Sequence, residues 1–283
     1  MSWETGNQIP RKKEFISNED LLKKKGFLEE REAKLLFYEF LRNNTTFATD
    51  LITGVQLFPF QHMAIKSMLE SDYFLGVWSR GMSKSYTTGI YAVLDAILNQ
   101  GVETGILSRS FRQSKMIFKK IEDIAAKPEA YLLKQCITHV SKSNDEWVME
   151  IGKSRIRALP LGDGEKLRGF RFHRIIIDEF LLMPERIYNE VIVPFLSVVQ
   201  NPTQREELYQ AENNLIKQGK MEEKDRHQWP NNKLIALSSA SFKFEYLYKL
   251  YEQYENLISN PKNKERTRRC VMQFSYDCAP VQL

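Results

Sequence analysis

Two rhythms of apolar residues run along the chain. Short, nearly continuous apolar blocks at 74–78 (FLGVW), 104–108 (TGILS), 173–178 (HRIIID), 233–238 (KLIALS) and 269–274 (RCVMQF) predict buried strands. At 84–99, at 111–126, from near Pro184 and at 244–257, apolar side chains return every three or four positions and predict helices. Residues 147–151 and 155–159 flank Gly152-Lys153 and predict a hairpin. Strands alternating with helices at this spacing predict an α/β domain, a mostly parallel sheet flanked by helices on both faces. Ligands of such sheets bind beyond the carboxyl ends of the strands.

Two stretches depart from the alternation. GFLEEREAKLLFYEFLRNN, 26–44, predicts an amphipathic helix after a polar lead-in carrying the charge runs RKK and LLKKKG. Residues 200–230, bounded by Pro202 and Pro230, are charged and helix-prone in the middle. They read as a surface insertion, either a solvated helix or a mobile loop.

Composition adds boundaries rather than identity. The 283 residues allow one large domain, or one with a small companion, and 42% hydrophobic with 27% charged residues is ordinary for a soluble domain. The apolar runs are too short to span a bilayer, and MSWETGNQIPRKKEF lacks the apolar core of a secretion signal, so a cytoplasmic location is expected. Cys136, Cys270 and Cys278 form no CxxC pair, and His62, His139, His173 and His227 show no metal-ligand spacing. A formal charge of +5 is compatible with a nucleic-acid partner without requiring one.

Candidate chemistry centres on WSRGMSKS, 78–85. The phosphate-loop pattern G-x-x-x-x-G-K-[ST] follows a strand and opens a helix, and Lys84-Ser85 supplies its ending in that context. Trp78 and Ser83 stand where the two glycines belong. A non-glycine residue at positive φ costs roughly 1–2 kcal/mol, which phosphate contacts worth about 1.5–3 kcal/mol each offset. A strand-turn-helix with a chance Lys-Ser is the competing reading of this stretch alone. RIIIDEF, 174–180, shifts the balance: a buried strand ends in Asp178-Glu179, an acid for hydrated Mg2+ followed by a general base for water. Taken alone, the two acids would also suit the start of a helix.

Five stretches in order resemble the large terminase subunit of tailed bacteriophages, the ATPase that packages viral DNA. LFPFQHMAI, 57–65, is similar to the adenine-reading segment, with Gln61 at the base and Phe58 or Phe60 as a stacking face. WSRGMSKS is similar to the family's deviant phosphate loop (Walker A), which often lacks the first glycine and carries an arginine, here Arg80. GILSRSFRQSKMIFKKI, 105–121, resembles the following strand and helix. GKSRIRALPLGDGEKLRGFRFHRIIIDEF, 152–180, resembles the segment leading into the acidic strand (Walker B), and implies that Arg168 is an arginine finger for a neighbouring subunit's ATP. ALSSAS, 236–241, occupies the coupling motif, with Ser238 and Ser239 as sensors of the γ-phosphate, although serines there would equally cap the next helix.

The resemblance covers about residues 55–275 and implies a P-loop NTPase fold of the ASCE/RecA-like type. It implies a helical lid or linker at 1–54, an ATPase core at 55–283, and no ribonuclease-H-like nuclease domain in this chain. ATP and Mg2+ are the implied cofactors. Ser79, Arg80, Gly81, Met82, Ser83, Lys84, Ser85 and Tyr86 would surround the nucleotide together with Gln61. Ser85 and Asp178 would hold the metal, and Glu179, Arg168, Lys84 and Arg80 would act in catalysis. The implied partners are double-stranded DNA, the portal and procapsid, the small terminase subunit and further copies in a ring, in the host cytoplasm and transiently at the portal vertex. Lys115, Lys119, Lys120 and Arg157 are candidate DNA contacts. Two other readings fit parts of the pattern: a helicase-like nucleic-acid translocase, and a degenerate ATP-binding switch without turnover.

Overall fold

The apolar blocks assemble side by side into one sheet. The computed structural model describes residues 30–162, 164, 167, 169–199, 202–227, 229, 231–240, 245–260 and 267–278. Its strands are β1 Tyr73–Trp78, β2 Glu103–Ser108, β3 Ile137–Lys142, β4 Trp147–Ile151, β5 Ser154–Pro160, β6 Arg174–Ile177, β7 Lys233–Ser238 and β8 Arg269–Phe274. They lie in the order β3-β4-β5-β2-β6-β7-β1-β8. From β5 to β8 all neighbours are parallel, and β3 and β4 add an antiparallel edge. The mostly parallel α/β sheet expected from the sequence is therefore present, with the predicted hairpin as β4 and β5.

The helices are α1 Glu30–Asn43, α2 Thr45–Thr53, α3 Pro59–Glu70, α4 Lys84–Leu98, α5 Phe111–Ala125, α6 Tyr131–Cys136, α7 Pro202–Lys217 and α8 Tyr246–Ser259. The chain divides into two units, 1–44 and 45–283. Helix α1 is the described part of the first unit. The division precedes α2, which falls within the expected lid or linker segment 1–54; α2 packs on α4 and α6 of the second unit.

Helix α4 is buried from Thr87 to Leu98, as its almost unbroken apolar sequence requires. Helix α5 starts at Ser110, whose hydroxyl accepts from the Arg112 amide at 3.3 Å, and lays Ile117, Phe118, Ile121 and Ile124 inward beside β2 and β5. On one sheet face, Leu75, Leu107, Ile175, Ile177, Leu234 and Ala236 share a core with Phe180, Tyr188, Phe195, Leu247 and Tyr254. Their intervening neighbours point to the opposite face.

The helix expected from Pro184 is broken into an α-turn Glu185–Ile187, a π-turn Tyr188–Ile192 and an α-turn Val193–Phe195. Pro194 has no N–H for the carbonyl four residues back, which fits a widened turn there. Within 200–230, Pro202–Lys217 form the helix α7 and Glu223–Asp225 a short 3-10 turn. The chain following α7 is held by Arg226, which bonds Asn213 and Glu223 and lies over the Tyr209 ring, and by Arg205 over Trp229. Among the described residues no helix is long and apolar enough to cross a membrane.

A buried ion pair joins the helix after β1 to β6. Arg174 Nε donates to Asp95 Oδ2 at 2.7 Å, both side chains fully buried, and Asn99 donates to the other carboxylate oxygen at 2.8 Å. Nearby, Lys233 donates to the carbonyls of Met68, Leu69 and Ser71, closing the carboxyl end of α3. Burial pulls the Lys233 ammonium down to about 8.

Candidate functional site

Strands β1, β7 and β6 are parallel, so Trp78, Ser238 and Ile177 bring their carboxyl ends to one edge, with β7 between the other two. After β1 the chain bends through Ser79-Arg80-Gly81-Met82-Ser83 into α4. The Ser79 amide donates to the Phe274 carbonyl at 3.0 Å, and the Met82 amide to the Ser79 carbonyl at 3.4 Å. Gly81 lies at φ 84, and Ser83, at the second glycine position, lies at φ 52, ψ 32. The serine thus adopts the left-handed conformation that the pattern normally assigns to glycine. Trp78, at the first glycine position, is fully buried with its ring edge-on to Phe274 at 5.1 Å; Phe60 meets the same ring at 5.3 Å. The tryptophan is packing beneath the loop.

Lys84 is the first residue of α4. Its ammonium donates to the carbonyls of Trp78 (3.2 Å) and Ser79 (3.4 Å) and to the Ser239 hydroxyl (3.3 Å). The Ser85 hydroxyl lies 3.3 Å from Asp178 Oδ2, joining the first turn of α4 to the end of β6. Burial, then the neighbouring Glu179 charge, raises the Asp178 carboxyl above its usual range, while hydrogen bonds from the Glu179 amide and Ser85 and the charge of Lys84 oppose the shift. Glu179 itself has φ 53, ψ 52. Among the described non-glycine residues, only Ser83 and Glu179 have positive φ, and both stand at this edge. Strained backbone concentrated in this way marks functional sites. The amide of Leu181, two residues after Glu179, donates to Ser238 at 3.1 Å.

Lys84, Ser85 and Glu179 open onto a cleft of about 850 Å³, with Asp178 buried behind Ser85; the volume is within the usual range of small-molecule sites. Arg80, Gly81, Ser83, Lys84, Ser85 and Tyr86 form one wall, and Glu179, Leu181 and Leu182 a second. A third wall comes from α5, through Gln113, Met116 and Lys120. Sequence reasoning assigned no role at the cleft to these three residues; their only signal is spacing along one helix face, which says nothing about what that face meets.

Several expected site residues stand elsewhere. Ser79 and Met82 do not line the cleft, and Met82 is buried beneath the loop. Gln61 is buried, donating to Thr87 Oγ1 at 3.2 Å and accepting from the Phe58 amide at 2.9 Å, so it braces the start of α3 against α4. Phe58 stacks at 6.2 Å on Phe60 and is half exposed. Arg168 lies outside the described residues. Of the candidate DNA contacts, Arg157 is engaged by Glu103 at 3.2 Å and Glu146 at 3.0 Å, Lys115 and Lys119 lie over Trp147, and Lys120 faces the cleft.

The donor set suits Mg2+. A serine hydroxyl and one carboxylate oxygen 3.3 Å apart approach the spacing of about 3 Å between adjacent ligands of an octahedral ion with bonds of 2.0–2.1 Å. Mg2+ commonly takes one or two carboxylates and completes its shell with phosphate oxygens and waters. Among the described residues there is no cluster of three or more His, Cys, Asp or Glu side chains able to form an all-protein cage.

The sequence matches no protein-family model. No curated protein matches it significantly. Solved structures do resemble it. The Thermus phage P74-26 large terminase ATPase domain superposes with a TM-score of 0.51 at 15% identity, covering 80% of this chain and 83% of that one. A large terminase from a thermophilic bacteriophage superposes with a TM-score of 0.50 at 12% identity over 78% of this chain, which spans 47% of that protein. At these identities the likeness is one of fold, and the chain has the fold of phage large terminase ATPase domains.

Proposed function

We propose that this chain is an ATP-hydrolysing motor domain that drives double-stranded DNA into a viral procapsid. One observation carries the reading: the Ser85 hydroxyl meets the Asp178 carboxylate at 3.3 Å, and Lys84, Ser85 and Glu179 line one cleft. The terminase-like fold supports it.

ATP would seat its phosphates at the amides of the loop and the amino end of α4, where unpaired N–H groups and the helix dipole favour anions. Lys84 would exchange its present carbonyl and serine partners for β- and γ-phosphate oxygens, with Arg80 adding charge at the rim. Ser85 and Asp178 would hold Mg2+, which supplies charge neutralisation on the phosphates. Glu179 would take a proton from the attacking water. The water oxygen forms a bond to the γ-phosphorus, the bond to the bridging oxygen breaks, and its electron pair leaves with ADP. Phe58 and Phe60 offer ring faces for the base, with Gln61 reorienting toward it.

Arg168 would reach the cleft of a neighbouring subunit, so hydrolysis would be weak in a monomer and stimulated in a ring. Ser238 and Ser239 would sense the γ-phosphate. DNA would be held through its phosphates with little sequence preference, and the portal, procapsid and small terminase subunit are the further partners. The work would take place in the host cytoplasm at the portal vertex. The test is Mg-dependent ATP hydrolysis by the wild type and Glu179→Gln. Loss of a general base lowers the rate by about 10²–10⁴-fold, with nucleotide binding retained. Equal rates in the two proteins would refute the reading.

A further inference from the structure

The attacking water has two protons, and Glu179 accepts only one. The second needs an acceptor if the oxygen lone pair is to stay aimed at phosphorus. One acceptor on the cleft lies on a different wall from the phosphate loop and from Glu179. Gln113, in the first turn of α5, lines the cleft together with Glu179 and Lys84. Its Oε1 is buried and has no hydrogen-bond partner.

Leaving a buried acceptor unpaired costs about 1–3 kcal/mol, so the amide has a standing gain from any donor brought within reach. The terminal torsion of glutamine is broad, so Oε1 can be re-aimed without moving the helix. The rest of α5 is fixed: Ser114, the next residue, donates to the Leu159 carbonyl at 2.8 Å, and Ile117 and Phe118 are fully buried. Topology sets the direction of approach. Helix α5 follows β2, and β2 neighbours β6 on the side away from β7 and β1. Gln113 therefore lines the cleft from the β2 side of the acidic strand end. In-line attack places the water on the far side of the γ-phosphate from the leaving diphosphate.

We propose that Gln113 is a catalytic residue that accepts the second hydrogen bond of the attacking water, completing with Glu179 a two-point hold on it. The inference rests on the ATPase reading above. In the step, the proton bound to Glu179 is transferred and the one facing Gln113 stays on the phosphate product.

The experiment compares wild type, Gln113→Leu, Gln113→Glu and Glu179→Gln in steady-state hydrolysis of Mg-ATP, with ADP binding measured for each. Gln113→Leu keeps the bulk and removes the acceptor. Its kcat is expected to fall by roughly 10–100-fold, the scale of a misplaced reactant, with KM and ADP affinity within about threefold of wild type. Gln113→Glu retains an acceptor and is expected to recover part of kcat. Unchanged kcat in Gln113→Leu, with Glu179→Gln inactive, overturns the role of Gln113 and leaves the ATPase reading intact. A raised KM at unchanged kcat also overturns it, placing Gln113 on the nucleotide instead. Absence of hydrolysis in the wild type overturns the ATPase reading and this inference together. Normal ADP binding by Gln113→Leu excludes misfolding as the cause of a lost rate.

Discussion

Replacing Asp95 by alanine isolates the energy of the buried pair that fastens α4 to β6. Arg174 and Asp95 are both fully buried, and the Nε–Oδ2 contact is 2.7 Å. In Asp95→Ala the guanidinium keeps its bonds to the His173 carbonyl (3.1 Å) and the Asn231 carbonyl (3.0 Å), but Nη2 has no partner even in the wild type. Asp95 also offsets the charge of Lys233, which Arg174 opposes. Its removal therefore leaves two buried cations facing one another, with Asp72 as the remaining acid acting on Lys233. Stranding one member of such a pair costs about 3–5 kcal/mol. For a unit of this size each kcal/mol lowers Tm by roughly 2–4 °C, so a fall of about 6–20 °C is expected. Thermal and urea unfolding followed by circular dichroism measure it. The double variant Asp95→Leu with Arg174→Met removes both charges and is expected to recover most or all of the loss, since apolar replacement of a whole buried pair is often neutral or stabilising. A loss below about 1 kcal/mol in Asp95→Ala, or a double variant no better than the single, would refute the argument.

Two further outcomes follow from the same geometry. Ser83→Gly relieves left-handed strain of about 1–2 kcal/mol and adds roughly 0.5–1 kcal/mol of unfolded-chain entropy; a net gain of up to about 1.5 kcal/mol in urea unfolding is expected with hydrolysis retained, and a destabilised variant would contradict the strain. His173 accepts the Glu103 amide at Nδ1 (3.0 Å), and burial, then Arg174 and Arg205, lower its imidazole to about 4. Between pH 6.5 and 4 the unfolded chain binds a proton that the folded one refuses, so the contribution of His173 to stability is flat above pH 7 and is lost as the pH drops through that window. Discounted for partial exposure, the loss is about 1–2 kcal/mol. His173→Gln should flatten that slope in urea titrations at stepped pH, and an unchanged profile would refute the assignment.

Strand β7 falls where the apolar block KLIALS begins and ends, because a central parallel strand buried along its whole length has no solvent face to interrupt the run. Strand β8 coincides with RCVMQF as well, although it is the edge strand beside β1 and only Phe274 in it is buried. Strand β3 went unread for the reason opposite to that of β7: from Thr138 to Lys142 it is exposed and polar, and pairing with β4 alone makes it a strand. Helix α6 has only Leu133 buried and carries a similarly weak pattern. At the site, Lys84-Ser85 and Asp178-Glu179 were legible because each sits at a strand-to-helix boundary with an unusual local sequence. The α5 wall was not, since Gln113, Met116 and Lys120 become cleft residues only through the order of strands in the sheet.

The tip of β7 touches the machinery on both sides through adjacent hydroxyls: Ser239 takes a hydrogen bond from Lys84, and Ser238 takes one from the turn behind Glu179. Withdrawing the ammonium toward a bound anion would free the first hydroxyl and leave the second engaged. Under the proposed ATPase reading, filling of the cleft would register at Ser239, just past β7, and displacement of the acidic turn at Ser238, the strand's last residue, in the manner of a ratchet pawl with separate catch and release.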